Sequence, residues 1–490
     1  MIGEELKYRI RQSFGHVPTA EQEHAIGVFA DFMTCRDDRS VMVLRGSAGT
    51  GKTTLAGAIV RAMKSLEVNM VLMAPTGRAA KVFSLYSGSP AYTIHRRIYR
   101  TKSMDNPGMG FFELNFNQAR DTLFIVDEAS MIANGETPLL DDLVSFVYNG
   151  RNCRLLLIGD HAQLPPVGET ESPALQSDVL ELYGLQVFES NLNEVLRQAE
   201  DSGILWNATR VRCMMADDRW RLPKIRFHGF PDIRIVTGEE LVEELSSSYS
   251  REGLDDTIVV TRSNKRANIY NQGIRNTVLD REEELCRGDR LMIVKNNYYW
   301  VSKPPKLGGD RGLKEGTPSV CSDPQPPNSG GLEFIANGDI ATVQRVRNVH
   351  EQHGFRFADV TLSFPDYDDY ELTATVMLDT LTSESPSLTR EQQQQLFERV
   401  MEDYADIRFK ADRLKKLKED RYYNALQVKF AYAVTCHKAQ GGQWAHVYID
   451  QGYMTDDMLT TDYLHWLYTA FTRATSRLFL VNWPAVQVEA

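Results

Sequence analysis

Residues 46–54 read Gly46-Ser47-Ala48-Gly49-Thr50-Gly51-Lys52-Thr53-Thr54 and follow the apolar run Val41-Met42-Val43-Leu44. The spacing is that of a G-x-x-x-x-G-K-[ST] phosphate-binding loop, set where a buried strand gives way to a helix. Backbone N–H groups of such a loop point inward at phosphates, and its small residues let the chain come close. Lys52 suits the β- and γ-phosphates, and the Thr53 hydroxyl suits a Mg²⁺ ion. On the helix side, Leu55, Ile59, Val60, Met63 and Leu66 recur at helical spacing. The loop in this setting predicts nucleotide binding. Its use must be read from the rest of the chain.

The 490 residues exceed one ordinary core and predict about two to four domains. A hydrophobic content of 42% with 25% charged residues is that of a soluble globular protein. No apolar stretch approaches a membrane span, and the segment from Met1 to Arg11 is too charged for a signal peptide, so no membrane partner is expected. The six cysteines (35, 153, 213, 286, 321 and 436) form no C-x-x-C pair. That argues against zinc ribbons and a disulfide framework and predicts a reducing, cytoplasmic setting. The net charge of −11 argues against one continuous basic face, although local basic grooves still serve for binding nucleic acid.

Short β-branched runs at 41–45, 69–74, 122–126 and 154–158 alternate with helical segments, which predicts a parallel sheet covered on both faces. A second set at 257–260, 426–434 and 478–481 predicts a second α/β domain in tandem. Between its halves, residues 303–331 hold six prolines and six glycines and read as a linker or loop. Runs at 290–294, 340–346 and 358–362 suggest a small inserted β-barrel. Over 389–421, Phe397, Val400, Met401, Tyr404, Ile407, Ala411, Leu414 and Leu417 step by three or four, with Thr389 and Gln392 as a capping box. Unbroken, that helix would be on the order of 50 Å long and would project or lean on another domain.

Leu123-Phe124-Ile125-Val126 runs into Asp127-Glu128, the pair of carboxylates that a phosphate loop needs. Asp127 would hold Mg²⁺ through water, and Glu128 would orient and deprotonate an attacking water. Gly159-Asp160-His161-Ala162-Gln163 follows another buried strand, and Gln163 can bond a γ-phosphate and lose that bond on hydrolysis. Arg197 and Arg473, from a facing domain, are candidates to stabilise a transferring phosphoryl group. His95-Arg96-Arg97-Ile98-Tyr99-Arg100 mixes charge with a ring, a composition suited to tracking a single strand.

As an ordered set, these motifs resemble superfamily 1 helicases. The set comprises Gln22 in Pro18 to Gln22, the phosphate loop, Ala74 to Ala80, Thr93-Ile94-His95, Asp127-Glu128, Gly159 to Val167, Leu192 to Gln198, Ala433 to Gly441 and Tyr468 to Ala474. The likeness is greatest to the 1B branch of RecD-like, Pif-like and Dda-like enzymes, and it spans residues 18–474. It implies an α/β fold of two tandem RecA-like P-loop domains with an SH3-like β insertion, a projecting helical segment and a short pin. The implied division is 1–195 for the first RecA-like domain with the pin at 96–120, and 196–287 with 426–490 for the second. The β insertion falls at 288–388 and the helical projection at 389–425.

The resemblance also implies ATP and Mg²⁺ as cofactors, single-stranded and forked duplex DNA as partners, and 5′→3′ translocation. It assigns Gln22 to adenine, Gln163 to the γ-phosphate, Arg197 and Arg473 to the arginine-finger positions, and Pro75, Thr76, His95, Thr435, His437 and Lys438 to DNA. Phe111, Phe112 and Phe116 fall in the pin, where they either split strands or pack its base. A monomer working with replication or repair proteins is expected. Two alternatives share these residues: a translocase that strips proteins from single strands, and an ATP-gated DNA-binding subunit without motor activity. Gln443 stands where several relatives carry an acidic or hydroxyl residue, and it is left out of the site.

Overall fold

The structure, a computed structural model, describes residues 2–101, 112–135, 138–195, 201–215, 221–301, 335–455 and 458–489. Arg197, Phe111 and the 303–331 stretch, with Lys303, Lys306, Arg311 and Lys314, lie outside the described residues. The chain divides into two compact units, the second spanning Glu283–Phe430.

The first unit contains two parallel sheets. One is built from β1 (Ser40–Gly46), β2 (Asn69–Ala74), β3 (Ala91–Thr93), β6 (Thr122–Val126), β7 (Arg154–Gly159) and β8 (Gln186–Leu192) in the order β3-β2-β6-β7-β1-β8. Its strands pair in parallel throughout. Strands buried on both faces read as unbroken apolar runs, which is how β1, β6 and β7 are legible in the sequence. Met42, Leu44, Ile125 and Ile158 face one core with helices α1 (Ile2–Phe14), α2 (Ala20–Thr34) and α3 (Lys52–Ser65). Phe83 of α4 (Gly77–Ser87) joins the same core. Val41, Val43, Phe124 and Leu157 face the other core with α5 (Ile94–Ile98), α6 (Leu139–Tyr148) and α7 (Ser177–Leu182). Strands β4 (Tyr99–Thr101) and β5 (Phe112–Leu114) form an antiparallel pair in the segment expected to carry the pin.

The second sheet has the order β16-β10-β17-β18-β9, with β9 (Ile233–Val236), β10 (Thr257–Thr261), β16 (Ala433–Thr435), β17 (Trp444–Asp450) and β18 (Ala474–Val481). It too is parallel throughout. Its helices are α8 (Gly203–Met215), α9 (Leu241–Arg251), α10 (Asn264–Gly273), α13 (Cys436–Ala439) and α14 (Thr461–Phe471). Buried Asn271 of α10 seats β16: its Oδ1 accepts from the N–H groups of Tyr432 and Ala433, and its Nδ2 donates to the Ala433 carbonyl. Two tandem α/β sheets of this kind match the expected fold class.

The second unit is a closed barrel of β11 (Arg290–Ile293), β12 (Ile340–Gln352), β13 (Phe355–Phe364), β14 (Tyr370–Met377) and β15 (Leu426–Phe430). Two sequence expectations are corrected here. The run from Leu426 to Val434 is not one strand of the second sheet: it divides, with β15 closing the barrel and β16 entering the sheet. The long helix is also interrupted, giving α11 (Arg390–Glu402) and α12 (Lys410–Lys418). Between them the Arg413 side chain donates to the carbonyls of Ala405 and Ile407, supplying donors that a continuing helix would have provided.

The pair does not project as a free rod. Leu396, Val400 and Leu417 pack with Phe355, Phe357 and Met377 of the barrel. The topology explains why: β14 and β15 run parallel, and parallel neighbours require a long crossover, which α11 and α12 supply. The capping box is present as read, with Thr389 Oγ1 accepting from Gln392 N and Gln392 Oε1 accepting from Thr389 N.

Candidate nucleotide and nucleic-acid site

The phosphate loop leaves the end of β1 and turns into α3 through two glycines, Gly49 at φ 78° and Gly51 at φ 77°. A side chain at either position would be strained, so the inward-facing turn needs glycine there. Thr50 Oγ1 donates to the Ser47 carbonyl at 2.8 Å and closes the loop on itself. Gln22, nearly fully buried, donates from Nε2 to the Thr50 carbonyl at 2.9 Å, and its Oε1 accepts from Thr19 N. The side chain assigned to adenine thus braces the loop. Lys52 opens α3, Thr53 and Thr54 are exposed beside it, and Gly46 is buried where the strand ends.

Asp127 and Glu128 stand at the end of β6, next to β7 in the sheet. Asp127 Oδ1 accepts from Glu128 N at 2.9 Å, and Oδ2 accepts from the Tyr86 hydroxyl at 2.5 Å. Burial pushes the Asp127 carboxyl above its ordinary range and Glu128 adds to this, while the Lys52 charge works the other way. Glu128 has φ 54°, a left-handed conformation that is costly for a residue with a β-carbon and recurs at functional sites. Its Oε2 is buried without a hydrogen-bond partner.

Beyond β7, the loop Asp160–Leu164 is held by groups of the second sheet's helices. Leu164 N donates to Thr469 Oγ1 at 2.7 Å, and the Leu164 carbonyl accepts from Gln440 Nε2 at 2.6 Å. His465 Nδ1 lies 2.9 Å from the Ala162 carbonyl. Gln163 sits inside this bracket with its Oε1 buried and unpartnered. One α14 side chain reaches both ends of the site: the Tyr468 hydroxyl accepts from Ala48 N at 2.7 Å and donates to Asp160 Oδ2 at 2.6 Å. Arg473 is buried but spends its donors within its own sheet, on the carbonyls of Thr469 and Gly442 and on Thr472 Oγ1. The structure does not bring it to the phosphate loop.

The residues assigned to DNA sit on short caps at strand ends. Thr76, after half-buried Pro75, is the N-cap of α4 and accepts from Ala79 N at 3.2 Å. His95 lies in α5, its ring 5.4 Å from that of Tyr99, and burial lowers its pKa below the ordinary imidazole value. Thr435 precedes α13, which carries exposed His437 and half-buried Lys438. Burial lowers Lys438 to about 8. Arg78 of α4 donates to the Gln443 carbonyl at 2.8 Å and lies over the Trp444 ring, 4.2 Å from its centre.

Ser47 Oγ, Glu128 Oε2, Ser130 Oγ and Gln163 Oε1 are buried polar atoms without partners, all just past the carboxyl ends of β1, β6 and β7. Buried groups are rarely left unpaired unless a ligand or water completes them. This cluster, with Lys52 and the Thr53 hydroxyl, fits a nucleotide polyphosphate and Mg²⁺. Among the described residues no group of three or more His, Cys, Asp or Glu could hold a metal by itself. A cavity of about 660 Å³ shares Ser130 and Gln163 with this cluster, but no residue of 46–54 lines it, so it is not the phosphate seat itself.

Sequence reading assigned no role to Tyr86, Gln440, Thr469 or Tyr468, although the last three lie inside the motifs Ala433 to Gly441 and Tyr468 to Ala474. Each acts across a gap of tens to hundreds of positions, which no local pattern shows. Tyr468→Phe deletes one hydroxyl and strands both Asp160 Oδ2 and Ala48 N–H. It is expected to cost about 1–3 kcal/mol, read as a lower urea midpoint. An unchanged midpoint contradicts the bridging role.

Residues 19–212 match the family model of an AAA domain, and residues 430–481 match that of a UvrD-like helicase C-terminal domain. The ATP-dependent RecD2 DNA helicase of Deinococcus radiodurans is 37% identical over 127 residues, covering 26% of this chain but only 16% of that protein. The ATP-dependent DNA helicase dda of Enterobacteria phage T4 is 27% identical over 345 residues, 68% of this chain and 72% of the relative. A Pif1 helicase from Bacteroides, solved with ADP-AlF3 and ssDNA, aligns at 15% identity and TM-score 0.46 over 97% of this chain and 95% of that one, a likeness too slight to build on. One matched model lies on each sheet and the motifs stand in order, and together with these relatives that supports placing the chain with the superfamily 1B helicases, the group of RecD-like, Pif-like and Dda-like enzymes.

Proposed function

We propose that this protein is an ATP-dependent DNA helicase that moves 5′→3′ along single-stranded DNA and unwinds duplex ahead of it. The observation that carries the reading is the bracket on Leu164, whose N–H and carbonyl are both bonded to side chains of the second sheet's elements. Gln163 is the adjoining residue, and Gln440 directly follows α13 with His437 and Lys438. A γ-phosphate bonded by Gln163 is therefore linked, through one backbone position, to the helix assigned to DNA. Loss of that bond on hydrolysis shifts the loop and with it the grip on the strand.

Mg²⁺ held near Thr53 and Asp127 would supply charge neutralisation for the β- and γ-phosphates. Lys52 binds the same oxygens, and Glu128 accepts the proton of the attacking water on its unpartnered, buried Oε2. Arg473 needs a rearrangement to act as an arginine finger, since it must leave the Thr469 and Gly442 carbonyls first. Such a requirement suits a site that fires only when the sheets close on a bound strand. Phe116, just after β5, is 71% exposed, and a bare ring there supports strand separation by stacking on a base.

Lys52→Ala should abolish DNA-stimulated ATP hydrolysis while single-strand binding is largely kept; normal stimulated hydrolysis in that variant refutes the assignment. In the unmodified protein, duplexes with a 5′ single-stranded tail should be unwound, and unwinding from a 3′ tail alone overturns the polarity.

Lys438 gives a pH signature. Its folded pKa, lowered to about 8, leaves it mostly charged at pH 7 and mostly neutral at pH 9. A phosphate contact needs the charged form, so affinity for an oligo(dT) strand should fall as pH rises through 8, by up to about tenfold. Lys438→Arg, charged across the range, should flatten the profile. A profile equally steep in that variant excludes Lys438 as the cause.

A further inference from the structure

The metal-side carboxylate has a partner that no phosphate-loop motif supplies. Asp127 Oδ2 accepts from the hydroxyl of Tyr86, near the C-terminal end of α4, at 2.5 Å. The tyrosine is held in place from two sides. Its ring stacks on Phe83, with centroids 5.1 Å apart and planes at 28°. On the other side α3 comes close: a β-carbon on Gly57 would lie 3.1 Å from the Tyr86 carbonyl and 3.6 Å from its Cδ2. The Arg61 guanidinium donates to that carbonyl at 3.4 Å. The Tyr86 hydroxyl is the donor and Asp127 Oδ2 the acceptor.

The same helix begins at Thr76, its N-cap, and its Arg78 is bonded to Gln443 and stacked on Trp444 of the second sheet's elements. The 11 residues of α4 make a rod of roughly 16 Å at 1.5 Å per residue. One end meets the segment assigned to the DNA strand and the second sheet, and the other end meets Asp127. A stiff element that touches two sites passes displacement between them.

We propose that Tyr86 is a positioning residue for Asp127: its hydroxyl fixes the metal-binding carboxylate and ties it to α4, so that strand binding at the Thr76–Arg78 end alters Mg²⁺ binding at the other. This rests on the nucleotide and DNA assignments made above. Outer partners that orient a metal ligand typically matter about 10- to 100-fold for metal affinity. Tyr86→Phe removes the bond and keeps the ring stack. Phe83→Leu removes the stack and keeps the hydroxyl.

The test is equilibrium binding of a fluorescent ADP analogue, titrated with MgCl₂, with and without an oligo(dT) strand. Tyr86→Phe should bind the analogue in EDTA as the unmodified chain does, but need about tenfold more Mg²⁺ for half-maximal tightening. The oligonucleotide should shift that midpoint in the unmodified chain and leave it within about twofold in Tyr86→Phe. Phe83→Leu should keep a midpoint close to that of the unmodified chain. An unchanged midpoint in Tyr86→Phe overturns the proposal, as does an equal shift in Phe83→Leu or a matching loss of binding in EDTA. A midpoint in the unmodified chain that ignores the oligonucleotide overturns the coupling to α4. If the unmodified chain binds no analogue at all, it is the nucleotide-site reading that fails.

Discussion

The structure of the first unit turns on the backbone of one residue, Leu164. Its N–H and carbonyl come from the first sheet's loop, and both are satisfied by side chains on the second, Thr469 and Gln440. Buried backbone groups must be paired, so neither sheet can move against the other without breaking or re-forming these bonds. The loop so held carries Gln163, the proposed sensor of a γ-phosphate. On that proposal, nucleotide chemistry and the placement of the second sheet are joined by short-range hydrogen bonds. No diffuse long-range effect is needed.

The same constraint governs the buried polar groups. Ser47, Glu128, Ser130 and Gln163 each leave a buried polar atom unpaired, and Glu128 adds a left-handed backbone. A fold tolerates such costs where a ligand repays them. The surroundings are stiff enough to maintain them: α3 starts from two glycines in positive φ, and Gln22 and Tyr468 hold the loop from either side. On the proposed reading, the site is kept ready for a polyphosphate before one arrives.

How much of this was legible in the sequence depends on the range of each interaction. The strands β1, β6 and β7 could be read because burial on both faces writes an unbroken apolar run. The Thr389–Gln392 capping box could be read because it closes within one turn. The interruption between α11 and α12 was hidden: the apolar spacing continues through 403–409, and the break depends on Arg413 capping Ala405 and Ile407. The division at residues 431–432 was hidden as well, since β15 and β16 are short, lie two residues apart and have partners distant in sequence. Within the candidate site, Lys52, Asp127, Glu128 and Gln163 could be proposed from motif. The roles of Tyr468, inside a motif, and Tyr86, outside any, did not show, because an aromatic side chain on an apolar helix face reads as core until its hydroxyl is seen to end on a carboxylate.

The central claim is that Gln163 and its bracketed loop carry nucleotide state from one sheet to the other. The direct measurement is the distance between labels on the first and second sheets' helices, at exposed Leu182 in α7 and exposed Ile269 in α10. A non-hydrolysable ATP analogue with an oligo(dT) strand should shift that distance in the otherwise unmodified chain. In Gln163→Ala it should stay at the nucleotide-free value. The same shift in both proteins would contradict the account.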